Sequence, residues 1–157
     1  ALVLVDAAGP EFTPQSVPLG FLIARVPVIN HIVEWVLPRS LVAQGLVDVY
    51  GDPARVTSEL VDRHFELALR EGNRRALALR LQQVVRGEHA DRIAGIRQPT
   101  LILWGGRDRF IPLPVGRVFE QQIPGSRLVV FDELGHVPHE EDPARTVAPV
   151  KEFLGLD

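Results

Sequence analysis

Two short, uninterrupted apolar runs near the C-terminus constrain the fold of this chain more than any other feature. The first run spans residues 100–104 and the second spans residues 128–131, and each leads directly into a polar loop that contains glycine. Apolar runs of this length without alternation are typical of strands buried on both faces, as in parallel sheets. Between them, residues 113–123 follow Pro112 and carry apolar side chains at helical spacing, which predicts a crossover helix. The sequence therefore predicts a strand, a helix and a parallel neighbouring strand.

The loops after these two predicted strands carry an aspartate and a histidine. Asp108 follows the first strand and His136 follows the second. Parallel neighbours lie about 4.8 Å apart and end at the same edge of a sheet, so we expect the two side chains to meet. In a nucleophile–His–Asp triad, His136 takes a proton from the nucleophile or from water, and Asp108 holds the imidazole tautomer and stabilises its charged form. The non-catalytic alternative is that Asp108 caps the following helix and His136 is an ordinary loop histidine.

Two other interpretations of the polar residues remain. Asp6 directly follows a third apolar run at residues 2–5, and is either a second candidate for the acid or a loop and capping aspartate. His136, His139 and Glu140 could be imagined as metal ligands, but their loop contains a proline and lacks the helical spacing of a metal motif. We therefore expect neither a metal nor a cofactor.

The long stretch between the first and second predicted strands indicates an inserted domain. A parallel crossover needs about a dozen residues, and the chain between these strands far exceeds that length. The surplus has helical patterning and follows the sheet edge that carries Asp108 and His136, where insertions commonly serve as lids. We therefore expect an α/β core formed by residues 1–18 and 96–157, with a helical cap over residues 19–95.

Within the cap, the clearest helical pattern covers residues 57–71, with Thr57 or Ser58 as the N-cap and Gly72 as the stop. The next helix is predicted to begin at an Asn73 cap and to bury a stripe of four apolar residues. That stripe is Leu77, Leu81, Val84 and Val85. Shorter apolar helices are predicted over residues 19–26, 28–37 and 39–47.

A final helix is predicted to end the core. Asp142 is a suitable N-cap and Pro143 a suitable first residue for a helix that runs to Leu154. Glu140 and Glu141 precede it, where acidic side chains favour a helix N-terminus through the helix dipole.

Composition excludes several classes of function. The formal net charge of −3 gives no reason to expect nucleic acid or an anionic membrane as partner. The chain has no cysteine, which excludes disulfide frameworks and thiolate metal sites. No apolar stretch reaches the length of a membrane span, and we expect a cytoplasmic protein.

The motifs resemble those of the α/β-hydrolase superfamily. Residues 104–112, with Asp108, resemble its acid motif, and residues 135–143, with His136, resemble its histidine motif. Residues 2–9 resemble the sixth strand of that fold, which leads into its helical cap. The resemblance covers the chain in order, and implies the last strands of a parallel-sheet hydrolase with an esterase-like or lipase-like activity.

The nucleophile that the resemblance implies is not in this sequence. The nucleophile elbow, G-x-S-x-G, belongs upstream of the sixth strand, as do the oxyanion-hole donors. The chain also contains no Met and begins within a predicted strand. We therefore expect the C-terminal portion of a longer protein, inactive alone and paired with its missing N-terminal part or with a second copy. The four serines all lack the flanking glycines: Ser16, Ser40, Ser58 and Ser126.

The resemblance implies hydrolysis of a small hydrophobic carboxylic ester, and leaves alternatives open. Haloalkane dehalogenases and epoxide hydrolases of the superfamily use an aspartate nucleophile, although epoxide hydrolases need two cap tyrosines and Tyr50 is the one tyrosine here. Meta-cleavage-product hydrolases tend to carry an aromatic residue after the histidine, where this chain has Val137. A hydrolase fold that binds without turnover is the third alternative. The apolar cap residues that favour a hydrophobic substrate are Leu19, Phe21, Leu22, Ile32, Val33, Trp35 and Val36.

Overall fold

A three-stranded parallel sheet forms the core of the chain. In the computed structural model, which describes residues 1–24 and 36–156, the strands are β1 (Leu2–Val5), β2 (Thr100–Gly105) and β3 (Arg127–Phe131). Their order in the sheet is β1-β2-β3, and both neighbouring pairs are parallel. The predicted parallel arrangement and the predicted adjacency of the second and third strands are therefore confirmed.

Helices and short 3₁₀ turns connect the strands. The α-helices, in chain order, are α1 (Leu19–Ala24), α2 (Arg39–Val49), α3 (Ser58–Leu69), α4 (Asn73–Gln83), α5 (Leu113–Gln122), α6 (Pro138–Glu141) and α7 (Pro143–Leu154). The 3₁₀ turns are Pro53–Arg55 and Ala90–Gly95. None of the helices in the described ranges combines enough length with enough apolar character to cross a membrane.

The central strand β2 is buried along its whole length, because both of its edges are paired and both of its faces are covered. Successive side chains of a strand point to opposite faces. Ile102 and Trp104 pack on the face covered by α5, whose Phe119 joins the same cluster. Leu101 and Leu103 pack on the other face, where they join a cluster that reaches α7. The apolar run of β2 is uninterrupted because both faces of this strand are buried.

The chain separates into two compact units. The first unit comprises residues 1–15, 49–52 and 86–157, and contains the sheet. The second comprises residues 16–48 and 53–85, and consists of helices and a 3₁₀ turn in its described part. Residues 49–52 belong to the sheet unit, although they fall within the segment that the sequence assigns to the cap.

The second unit contains the clearest of the predicted cap helices. Thr57 caps α3, because its side-chain oxygen accepts the N–H of Leu60 at 3.2 Å. Arg39 at the start of α2 contacts Asp62 of α3 at 2.6 Å between exposed side chains. The predicted helix over residues 19–26 coincides with α1 over its first six residues. Residues 25–35, which include most of the predicted helix over 28–37, lie outside the described residues, and residues 36 and 37 are not helical.

The predicted buried stripe of α4 is wrong. Leu77 and Val85 are 42% and 64% exposed, whereas Ala78 is buried. The N-cap is Gly72 at a φ of 83°, and Asn73 is the first helical residue. Helix α4 contacts α1 and α3, and a small residue allows close approach of the helices. The sequence pattern alone could not show which face those neighbours cover.

Candidate active site

Asp108 is held by the loop that follows β2. Its Oδ1 accepts the backbone N–H groups of Phe110 and Ile111, each at 2.8 Å. The indole N–H of Trp104 donates to the carbonyl oxygen of Ile111 at 3.1 Å, which fastens the same loop to the buried end of the strand. The side chain of Asp108 is fully buried. These bonds fix one carboxylate oxygen and leave Oδ2 for another partner.

His136 lies in the loop that follows β3. Its backbone N–H donates to the carbonyl oxygen of Val49 at 2.7 Å. Its ring stands edge-on to the ring of Phe110, with 5.0 Å between centroids and an interplanar angle of 86°. The imidazole side chain is 21% exposed, so it is positioned by packing while one part of the ring stays accessible.

The two side chains meet as the sequence predicts. Nδ1 of His136 lies 2.8 Å from Oδ2 of Asp108. With an ionised carboxylate, the proton in this contact belongs to Nδ1, and Nε2 is left as the basic nitrogen. Pro112 is the N-cap residue of α5 and receives no side-chain cap. Asp108 therefore does not act as the helix cap of the non-catalytic alternative, since its oxygens serve its own loop and the imidazole.

Asp6 is the third ionisable side chain at this edge of the sheet. It is 3% exposed, and its Oδ1 accepts the backbone N–H of Gly105 at 2.9 Å. Burial raises the pKa of Asp6 to about 9; the Gly105 N–H opposes this shift, and the charges of Asp108 and Glu141 add to it. A carboxylate with this pKa is protonated at neutral pH. In the described part of the chain, the ring of His136 bonds to Asp108 and not to Asp6.

Glu141 is a structural residue of the site that the sequence interpretation missed. It is 8% exposed, and its Oε1 accepts the N–H of Gly135 at 2.6 Å while Oε2 accepts that of Gly51 at 2.9 Å. One buried carboxylate thus joins the His136 loop to residues 49–52. The sequence suggested only a favourable position near a helix N-terminus, because the two backbone donors come from distant segments.

Backbone segments approach one another closely around this loop. A Cβ atom added to Gly135 would collide with the carbonyl oxygen of Val49 and the nitrogen of Gly51. A Cβ atom added to Gly105 would collide with the carbonyl oxygen of Gly135. The glycines at these positions are therefore required by contact between main chains next to the loop that carries His136.

Asp6, Asp108 and His136 each offer one potential ligand atom, and these atoms lie within 4.8 Å of one another. Among the described residues they form the one group of three with such spacing, and His139 and Glu140 are not part of it. The facing atoms of Asp108 and His136 are already bonded to each other. A cation could bind all three only by breaking that hydrogen bond, whereas a proton fits the arrangement as it stands.

Residues 1–150 match the family model described as "Alpha/beta hydrolase family", and the chain therefore belongs to the α/β-hydrolase family. This agrees with a parallel sheet that presents an aspartate and a histidine at the carboxyl ends of neighbouring strands. The family assignment confirms the resemblance and the fold class that the sequence predicts.

The chain is similar in sequence to proteins that are named as hydrolases. The uncharacterised hydrolase YugF of Bacillus subtilis is 21% identical over 153 residues, which are 98% of this chain and 55% of that protein. A 2-hydroxy-6-oxononadienedioate/2-hydroxy-6-oxononatrienedioate hydrolase of Cupriavidus pinatubonensis is 34% identical over 68 residues, 43% of this chain and 24% of its own.

Solved structures show the same fold. A meta-cleavage product hydrolase of Pseudomonas fluorescens superposes with a TM-score of 0.76 at 23% identity, covering 98% of this chain and 54% of its own. A thermophilic esterase of Thermogutta terrifontis superposes with a TM-score of 0.72 at 24% identity, covering 98% and 55%. The chain spans about half the length of these structures.

Proposed function

We propose that this chain supplies the acid and the histidine of a nucleophile–His–Asp hydrolase that acts on small hydrophobic carboxylic esters. The observation that carries the proposal is the 2.8 Å hydrogen bond between Nδ1 of His136 and Oδ2 of the buried Asp108. The bond gives the imidazole the tautomer in which Nε2 is the base. The imidazole side chain is 21% exposed, so the ring is not sealed from solvent.

In the proposed reaction, Nε2 of His136 removes the proton from a nucleophile as the nucleophile bonds to the ester carbonyl carbon. Asp108 stabilises the imidazolium that forms. The imidazolium returns its proton to the leaving alcohol when the carbon–oxygen bond breaks. A water molecule, deprotonated by the same nitrogen, then attacks the acyl-enzyme, and the nucleophile is regenerated as the acid leaves.

The nucleophile and the oxyanion hole are proposed to lie N-terminal to this chain. The sequence has no G-x-S-x-G elbow, and the chain covers about half the length of its structural relatives. We propose that residues 19–95 serve as the cap of the longer protein. The cytoplasmic location expected from composition remains a prediction.

The test is hydrolysis of a short-chain p-nitrophenyl ester by the full-length protein. His136→Ala and Asp108→Asn should each lower kcat by about 10³–10⁴, because one removes the base and the other spoils its tautomer. Matched controls are His89→Ala and Asp91→Asn, which change exposed residues and should leave kcat unchanged. Residues 1–157 alone, without a nucleophile, should show no turnover.

Three results would count against parts of this proposal. Full activity in His136→Ala would remove the histidine from the mechanism. Activity retained in Asp108→Asn but lost in Asp6→Asn would move the acid to the end of β1. Turnover by residues 1–157 alone would show that the nucleophile lies within them. The residue type of the upstream nucleophile separates a serine esterase from an aspartate-dependent dehalogenase or epoxide hydrolase. Loss of turnover when that residue is replaced would exclude a binding protein without turnover.

A second candidate is hydrolysis of a meta-cleavage product. Sequence and structural relatives with that activity favour it, whereas Val137 replaces the aromatic residue expected after the histidine. The two candidates are compared by measuring kcat/KM for a 2-hydroxy-6-oxo-dienoate and for the p-nitrophenyl ester. A higher value for the dienoate would replace the ester proposal with the second candidate.

A further inference from the structure

Asp6, which lies outside the proposed triad, is fixed by hydrogen bonds of both its backbone and its side chain. It follows β1 with a φ of 40°, a left-handed conformation that aspartate tolerates better than most residues. Its backbone N–H donates to the carbonyl oxygen of Leu103 at 3.1 Å, and its Oδ1 accepts the N–H of Gly105 at 2.9 Å. The side chain thus extends the hydrogen-bond ladder between β1 and β2 beyond the last strand residue.

The second oxygen of Asp6 is isolated. Oδ2 is buried and has no hydrogen-bond partner in the part of the chain that the structure describes. A carboxylate oxygen of Asp6 lies within 4.8 Å of both a carboxylate oxygen of Asp108 and a ring nitrogen of His136. A buried polar atom without a partner is costly and is rare in native proteins, so its presence beside a reactive pair requires an explanation.

The hydrogen bonds determine how one proton is divided between the two carboxyl groups. Asp108 accepts N–H groups from Phe110, Ile111 and His136, which stabilise its ionised form. Asp6 accepts one N–H group, on Oδ1. The negative charge is therefore best placed on Asp108 and the proton on Asp6, whose Oδ2 is free to carry it.

We propose that Asp6 is a positioning residue whose protonated carboxyl group donates a hydrogen bond from Oδ2 to the carboxylate of Asp108. This bond would hold Asp108 against His136 and draw part of its charge away from the imidazole. The protonation of Asp6 is independent of the reaction, whereas its effect on turnover rests on the proposed function.

The two carboxylates that face Asp6 from neighbouring elements favour its neutral form. Asp108 faces it from the loop after β2, and Glu141 adds a negative charge from α6. His136 approaches from the loop after β3. Burial and the two carboxylates raise the pKa of Asp6 against the effect of the Gly105 N–H. Ionisation of Asp6 would place a second negative charge beside His136 and would make the imidazole harder to deprotonate.

The first test measures protonation directly. Infrared difference spectra of the full-length protein against Asp6→Asn should show the carbonyl stretch of a protonated carboxylic acid, lost as the pH rises through about 9. Asp91→Asn, which changes an exposed aspartate, is the matched control and should retain the Asp6 band. Loss of the Asp6 band near the ordinary value of 3.8 would overturn the proposal, whatever the activity of the protein.

The second test measures positioning. Asp6→Ala removes the O–H donor and should lower kcat on the order of 10- to 100-fold, the effect of one lost hydrogen bond to a charged group. The acidic limb of its kcat/KM profile should move to higher pH, because Asp108 then holds the proton on His136 more strongly. Asp6→Asn should recover most of the activity and restore the limb, since its amide can accept from Gly105 and donate to Asp108.

The two tests separate this inference from the proposed function. A protonated Asp6 in a protein that hydrolyses neither substrate would overturn the proposed function and leave the hydrogen bond in place. Equal losses of activity in a folded Asp6→Ala and a folded Asp6→Asn would overturn the positioning role, because they would show a need for the carboxyl group itself. An unshifted acidic limb in Asp6→Ala would do the same.

Discussion

Asp6→Asn should stabilise the full-length protein at neutral pH, and this prediction can be worked out from the structure. The Asp6 pKa is raised from 3.8 to about 9 by burial. The folded protein therefore binds a proton that the unfolded chain does not bind between these pH values. In that pH range the free energy of unfolding falls as the pH rises, because folding takes up a proton and the proton concentration is decreasing. Asparagine is neutral at every pH and needs no proton.

The magnitude follows from the interval between the unfolded pKa and the working pH. From 3.8 to pH 7 is about three pH units, and each unit changes the free energy of unfolding by about 1.36 kcal/mol. Asp6→Asn should therefore raise the free energy of unfolding by up to about 4 kcal/mol at pH 7. As the pH falls through 3.8, Asp6 becomes protonated in the unfolded chain as well, and the two proteins should become similarly stable.

The assay is urea unfolding of both proteins at several pH values between 4 and 9. The difference between their unfolding free energies should grow with pH, and should correspond to a shift of the urea midpoint of about 1 M at pH 7. Other ionisable groups cancel in this comparison because both proteins carry them. A difference that is constant with pH, or a wild-type protein that is more stable at pH 7, would refute the protonated state of Asp6.

Two other substitutions test the loop that carries His136. Glu141→Gln should destabilise the protein by about 1–3 kcal/mol and lower kcat, because one of the two backbone N–H groups then faces an amide donor; urea unfolding and ester hydrolysis check this, with the exposed Glu88→Gln as control. Gly135→Ala should be more damaging, since its Cβ would meet main-chain atoms that cannot yield locally. Gly95→Ala has open space around the new methyl group and should be tolerated. Normal stability and activity in Glu141→Gln or Gly135→Ala would contradict these main-chain contacts.

Much of the fold could be predicted from the sequence because it depends on patterns between near neighbours. The apolar runs at β2 and β3 show no alternation, since both faces of these strands are covered. Parallel pairing then places their following loops at one edge, so the contact between Asp108 and His136 follows from the order of residues along the chain. Helix α3 was predictable for the same reason, as its cap and apolar face repeat within a few residues.

The tertiary structure alone decided the properties that depend on distant neighbours. Nothing near Asp6 in the sequence predicts that it loses its charge, because its pKa is set by burial and by Asp108 and Glu141. In the sequence, Glu141 resembles a residue that stabilises a helix end, whereas in the structure its Oε2 accepts the backbone N–H of the distant Gly51. The burial of a side chain and the charges around it depend on contacts that form only when distant segments of the chain pack together. A sequence can therefore supply the acid and the histidine, while the packed structure sets which carboxyl group holds the proton.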